Sequence, residues 1–152
     1  MSNSSVGGSS LVQLLHHVAG AVLNRYGNEG REVVREAVYK FGYNQGKQIR
    51  GRVEALGLEA DLENFLRYNG IYEQNAFLVE RHKDDGLLSY EVRHWPLEDQ
   101  AIDAKKVELG LLLCELDRAL LQGYNQHLSI EHSSCIRLGS HSCHFVSKVH
   151  SA

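Results

Sequence analysis

At 152 residues, 43% of them apolar, the chain is long enough to bury one hydrophobic core without disulfides or a structural metal, so one globular domain is expected. Lys and Arg total 16 against 19 Asp and Glu, a net charge of -3. The basic residues Arg31, Arg35, Lys40, Lys47, Arg50 and Arg52 are interleaved with acids, which argues against a nucleic-acid partner, and no apolar run approaches the roughly 18 residues a membrane helix needs.

Residues 1–10 are rich in Ser and Gly and read as a flexible tail, because they bury too little surface to offset ordering entropy. They lack the positive n-region of a secretory signal, and Gln13, His16 and His17 interrupt the apolar segment that follows. Three cysteines, an odd number, fit a reducing compartment better than a disulfide framework, and a cytoplasmic location is expected.

From Leu11 the single domain, 11–152, begins with a helix whose apolar positions are Leu11, Leu14, Leu15, Val18, Val22 and Leu23. Gly27 and Asn28 supply its stop. A second helix is expected from Glu29 to Leu56, with Val34, Val38, Phe41, Ile49 and Val53 inward. Gly42 and Gly46 inside it each weaken the helix by about 1 kcal/mol relative to alanine, which implies close approach of another element or a break near Tyr43 and Asn44. A short helix from Asp61 to Tyr68 ends at Asn69-Gly70.

The period then changes. Ala76 to Arg81 and Leu87 to His94 flank Lys83-Asp84-Asp85-Gly86 and read as a β-hairpin, closed by Trp95-Pro96. Glu98 to Gln122 returns to helical spacing with a wide apolar stripe through Ile102, Val107, Leu111, Cys114 and Leu121, so this helix is expected to be largely buried. After Gly123, His127 to Arg137 and Cys143 to His150 form a second hairpin. The expectation is an α+β domain, with N-terminal helices and a long buried helix packed on an antiparallel sheet of about four strands built from two hairpins. The hairpin edges are exposed in this arrangement, which makes a homodimer an expectation too.

All three cysteines and five of the nine histidines lie from Cys114 onward, and chemistry is sought there. A short loop at Gly139 sets Cys135 opposite Cys143, with Cβ atoms about 4.5 to 5.5 Å apart. Strict alternation puts Glu131 on the cysteine face and His132 on the other; a bulge near Ser133 and Ser134 exchanges them, and the sequence leaves both open. Cys114 and Asp117 are one helical turn apart and point the same way. A thiol beside a carboxylate resists ionisation unless a cation, a histidine or a metal joins them, and His132 and His94 are the candidate partners.

Three readings follow. Cys114 is a small core hydrophobe and the strand cysteines are ordinary residues. Alternatively Cys135, Cys143 and Cys114 hold zinc with His132 or Glu131 as fourth ligand, although Cys-x7-Cys is not one of the tight zinc spacings. Or Cys114, Asp117 and a histidine such as His132 form a nucleophilic or acid/base pocket. No phosphate loop, dinucleotide fingerprint or serine nucleophile elbow is present.

The order Pro96, Cys114-x2-Asp117, Gly123-Tyr-Asn125 and Gly139-x3-Cys143-x-Phe145 resembles the L-2-amino-thiazoline-4-carboxylic acid hydrolase-like family, and Phe41-Gly42 to Gly46 is similar to that family's N-terminal helix. The resemblance implies a hydrolase opening a carbon–nitrogen bond of a small heterocycle, a cyclic amidine, with no cofactor. Cys114, Asp117 and His132 would carry the chemistry, and Asn125, Tyr124, Trp95 and His94 would line the substrate. One departure is Trp95, where many relatives carry a cysteine. The tail His132-x2-Cys135-x7-Cys143 also looks like the vinyl-reductase-type small-molecule-binding domain, which implies instead a non-catalytic binding module with zinc on Cys135, Cys143, Cys114 and His132. That domain's third cysteine tends to sit where this chain has Gln122.

Overall fold

The structure, a computed structural model, describes residues 8–69, 79–84, 87–92, 104–134 and 143–149, with side-chain placement for 14–69, 108, 112, 114–129 and 131. Helix α1 runs Gly8–Ala55, α2 Leu62–Tyr68 and α3 Ala104–Tyr124; the strands are β1 Val79–Asp84, β2 Leu87–Val92, β3 Leu128–Ser134 and β4 Cys143–Val149.

The Gly27 stop is present as a kink. Gly27 has φ 56 and ψ -129, outside helical values, so two helical limbs meet there within α1. Positive φ is open to glycine because it has no Cβ. The limbs fold closely enough that a side chain at Gly30 would press on the Val22 carbonyl. The first limb begins at Gly8, so the last three residues of the expected tail are helical. The second limb ends in paired bonds, Gly57 N–H to Glu54 O at 2.9 Å and Leu58 N–H to Val53 O at 3.2 Å, with Gly57 at φ 72. This is the Schellman arrangement, and it satisfies carbonyls the helix end leaves free.

Helix α2 starts at Asp61, whose Oδ1 accepts from the Asn64 N–H at 2.8 Å, and ends where Asn69 N–H donates to Phe65 O at 2.9 Å. An N-terminal carboxylate of this kind satisfies a donor that has no partner within the helix.

The strands pair antiparallel in the order β1-β2-β4-β3. Val79 is opposite Val92, Tyr90 opposite Phe145, and Val92 opposite Cys143. On the other side of β4, Leu128 is opposite Val149 and His132 opposite Phe145, and the register shifts between His132 and Ser134.

The expected fold class needs correction. The α+β expectation put the core between helices and sheet, but among the residues with described side chains the molecule is mostly helical, β3 alone contributes strand residues, and the core is helix against helix. Ile49 and Val53 of α1, Leu62 and Phe65 of α2, and Leu120, Leu121 and Tyr124 of α3 close one cluster, which only Leu128 joins from a strand. A smaller cluster joins Ala19 and Leu112, flanked by Leu23 and Val34.

The inner face of α1 is corrected as well. Leu14, Leu15, Val18 and Phe41 are exposed, Phe41 at 56%. For Phe41 the reason is the close approach that Gly42 and Gly46 imply. A Cβ on Gly42 would crowd Ala119 and Leu116, one on Gly46 would overlap the Leu120 carbonyl, and one on Gly123 would overlap the Tyr43 carbonyl. α1 therefore presents its small residues to α3, and helices meeting backbone to backbone leave no room for Phe41 between them. No break occurs at Tyr43 and Asn44.

Candidate functional site

Helix α3 carries the central candidates. Asp117 is buried, 8% exposed, and Cys114, one turn earlier, is half-buried against the cluster that includes Leu121 and Leu128. Both make interactions with their surroundings. Their i,i+3 spacing keeps them on one side of the helix. Glu115 lies toward solvent and pairs with Arg118 at 3.3 Å, so the ionic face of α3 is separate from that of Asp117.

The end of α3 is tied to the segment between α1 and α2. Tyr124 is fully buried, its ring 5.1 Å from that of Phe65, and its hydroxyl donates to the Asp61 carbonyl at 2.8 Å. Burial, and next the negative charge of Asp61, hold this phenol well above its usual ionisation range. Asn125 donates from Nδ2 to the Ala60 carbonyl at 2.8 Å, and its Oδ1 accepts from the His127 N–H at 2.9 Å. The polar atoms of Gly-Tyr-Asn at 123–125 thus join the helix end to backbone 63 and 65 residues away in sequence. From sequence, Asp61 is only the first residue of the expected short helix, and nothing there marks it as the anchor of Tyr124.

On β3 the register bears on the alignment of Glu131 and His132 with β4. His132 pairs with Phe145 and Glu131 with Val146, and the shift before Ser134 is the bulge that exchanges the two. Alternation then places Leu128, Ile130 and His132 on one face, together with Cys143 and Phe145 of β4 and Tyr90 and Val92 of β2. Leu128 is in the helical core and Glu131 is exposed. His94, Trp95 and Cys135, with the Gly139 turn, lie outside the described residues. Among the described residues no group of three or more His, Cys, Asp or Glu is gathered to hold a metal.

Two open grooves are lined by described residues. One lies at the kink, between Leu23, Asn24, Arg31 and Glu108, where Arg31 and Glu108 form an ion pair. The other lies between Tyr43, Lys47 and Arg50 of α1, Gln122 of α3 and Gln126 just beyond it. Cys114 and Asp117 line neither.

No curated protein matches the chain. Among solved structures it is similar to trafficking protein particle complex subunit 3 from Naegleria fowleri covalently bound to palmitic acid, at 14% identity and TM-score 0.60 over 96% of each chain. It is also similar to an H-NOX protein from S. oneidensis in the Fe(II)NO ligation state, at 16% identity and TM-score 0.52 over 99% of this chain and 80% of the other. At such identities these likenesses speak for the fold alone. No helix among the described residues is long and apolar enough to cross a membrane. Residues 12–146, nearly the whole chain and including both Cys114 and Asp117, match the L-2-amino-thiazoline-4-carboxylic acid hydrolase family, and the chain belongs to that family.

Proposed function

We propose that the chain hydrolyses a small cyclic amidine, such as a 2-amino-thiazoline carboxylate, by adding water at the ring carbon and opening the ring at a carbon–nitrogen bond. The observation that carries this reading is the burial of Asp117 one turn from the half-buried Cys114 thiol, in a chain of this family. A carboxylate held out of bulk water attracts a substrate amidinium more strongly than an exposed one. Asp117 orients the ring, and Cys114 adds to the ring carbon or, with His132, activates the water that does. The test is turnover of the amidine, followed by mass spectrometry of the opened product. Cys114→Ser and Asp117→Asn are expected to lower turnover by about 10² to 10⁴-fold with an unchanged circular dichroism spectrum. A wild-type protein that leaves the ring intact would sink the proposal.

A second reading is favoured by the register, which places the His132 and Cys143 positions on one face. In it the domain binds a small apolar ligand without chemistry, and zinc on Cys135, Cys143, Cys114 and His132 fastens the last two strands. The two similar folds support it to the extent that their own proteins were crystallised with palmitic acid and with nitric oxide on iron. Its test is metal content: about one zinc per chain, lost in Cys135→Ser, supports it, and metal-free protein with three reactive thiols rejects it.

A further inference from the structure

The outward side of the second α1 limb carries an ordered pattern that neither the core nor the candidate site uses. Val33, Lys40 and Lys47 recur every seven residues, and Glu29, Glu36 and Tyr43 do so at an offset of three. Seven residues are close to two helical turns, so the six positions form one narrow stripe. Tyr43 is half-buried and the other five are exposed. The stripe lies away from Val38, Gly42, Ile49 and Val53, the buried side of the same limb. Among the described residues Val33, Tyr39 and Phe41 are exposed and flank or belong to the stripe.

The pattern is symmetric in position and opposite in charge. Glu36 and Lys40 lie two residues either side of Val38, Glu29 and Lys47 nine residues either side, and Val33 and Tyr43 five. No ion pair within the chain engages Glu29, Glu36, Lys40 or Lys47 among the described residues; Lys47 stands over the Tyr43 ring at 6.0 Å.

We propose that this stripe is a self-complementary docking surface for a second copy of the chain, with the two α1 helices antiparallel and the twofold axis crossing the stripe between Glu36 and Lys40, level with Val38 along the helix. In that arrangement each Glu36 meets the other copy's Lys40, each Glu29 meets its Lys47, and each Val33 packs on its Tyr43. A twofold contact requires a patch to match itself, and this one does so at every position named. Parallel pairing would set Glu on Glu and Lys on Lys, so the charge pattern also selects the direction. The surface is separate from the sheet edges and from Cys114 and Asp117, and the proposal does not depend on the activity.

The test is a charge swap on the full chain, read by sedimentation velocity at tens of micromolar and low salt. The wild type is expected to be a dimer that weakens as salt rises. The all-acidic variant Lys40→Glu/Lys47→Glu and the all-basic variant Glu29→Lys/Glu36→Lys are each expected to be monomeric, and an equimolar mixture of the two to form a 1:1 dimer. Circular dichroism and thermal midpoints keep folding in view, since the exchanged side chains are exposed. A monomeric wild type, a dimer indifferent to either charge reversal, or variants that fail to pair on mixing would each overturn the proposal.

Discussion

Gly46 on α1 rests on the main chain of Leu120 on α3, at a point where a Cβ would overlap the Leu120 carbonyl oxygen. Gly123 on α3 rests in the same way on Tyr43 of α1. The helix that carries Cys114 and Asp117 is held by contacts that only glycine permits.

Gly46→Ala is therefore expected to lower stability by at least about 1 to 3 kcal/mol, the range for overpacking a tight interior, because the atoms in the way are backbone and cannot turn aside. Gly51→Ala is the control. It sits on the same helix with nothing within 4 Å of a new Cβ, so it is expected to raise stability by about 0.5 to 1 kcal/mol. Urea midpoints of the two variants should move in opposite directions.

Tyr124→Phe removes the bond to the Asp61 carbonyl and is expected to cost about 0.5 to 1.5 kcal/mol near neutral pH. It also changes the alkaline response. The folded protein keeps the Tyr124 proton to a higher pH than the unfolded chain, so the full contribution is present below the ordinary phenol value of about 10 and is lost progressively as pH rises above it. The thermal midpoint of the wild type should fall more steeply above that pH than that of Tyr124→Phe, since the other six tyrosines are common to both.

Asn125→Ala leaves the Ala60 carbonyl and the His127 N–H without their side-chain partner, and is expected to cost about 1 to 3 kcal/mol. Hydrogen exchange should show faster opening at the end of α3 and the start of β3, and slower change near the α1 kink.

Asp61→Ala is expected to cost about 1 kcal/mol through loss of the α2 cap, and Asp61→Asn much less, because asparagine caps comparably. Neither removes the bond from Tyr124, which goes to the Asp61 main chain. The difference between the two variants in denaturant midpoint isolates the cap.

Periodicity alone located the two α1 limbs, α2 and the C-terminal end of α3 to within a few residues, because a helix face repeats along the chain and its stops are local chemistry; the expected start of α3 at Glu98 lies outside the described residues, and the described helix begins at Ala104. Gly27 shows this: the residue that reads as a stop is the one with non-helical backbone. The glycine pair at Gly42 and Gly46 likewise signalled a close neighbour, since a small residue inside a helix costs stability that packing must return. Cys114 and Asp117 were legible as one pair from their spacing.

What lay beyond the sequence depended on which surfaces meet. Apolar spacing pointed to Phe41 as core, but helix packing selected the small-residue side of α1, and backbone contact between helices left Phe41 outside. The alignment of the His132 position with Phe145 turned on a register shift between His132 and Ser134, a cross-strand property with no fixed local signature. Tyr124 and Asn125 found their partners at Asp61 and Ala60, more than sixty residues earlier, and only the folded chain brings such distant backbone within hydrogen-bond reach.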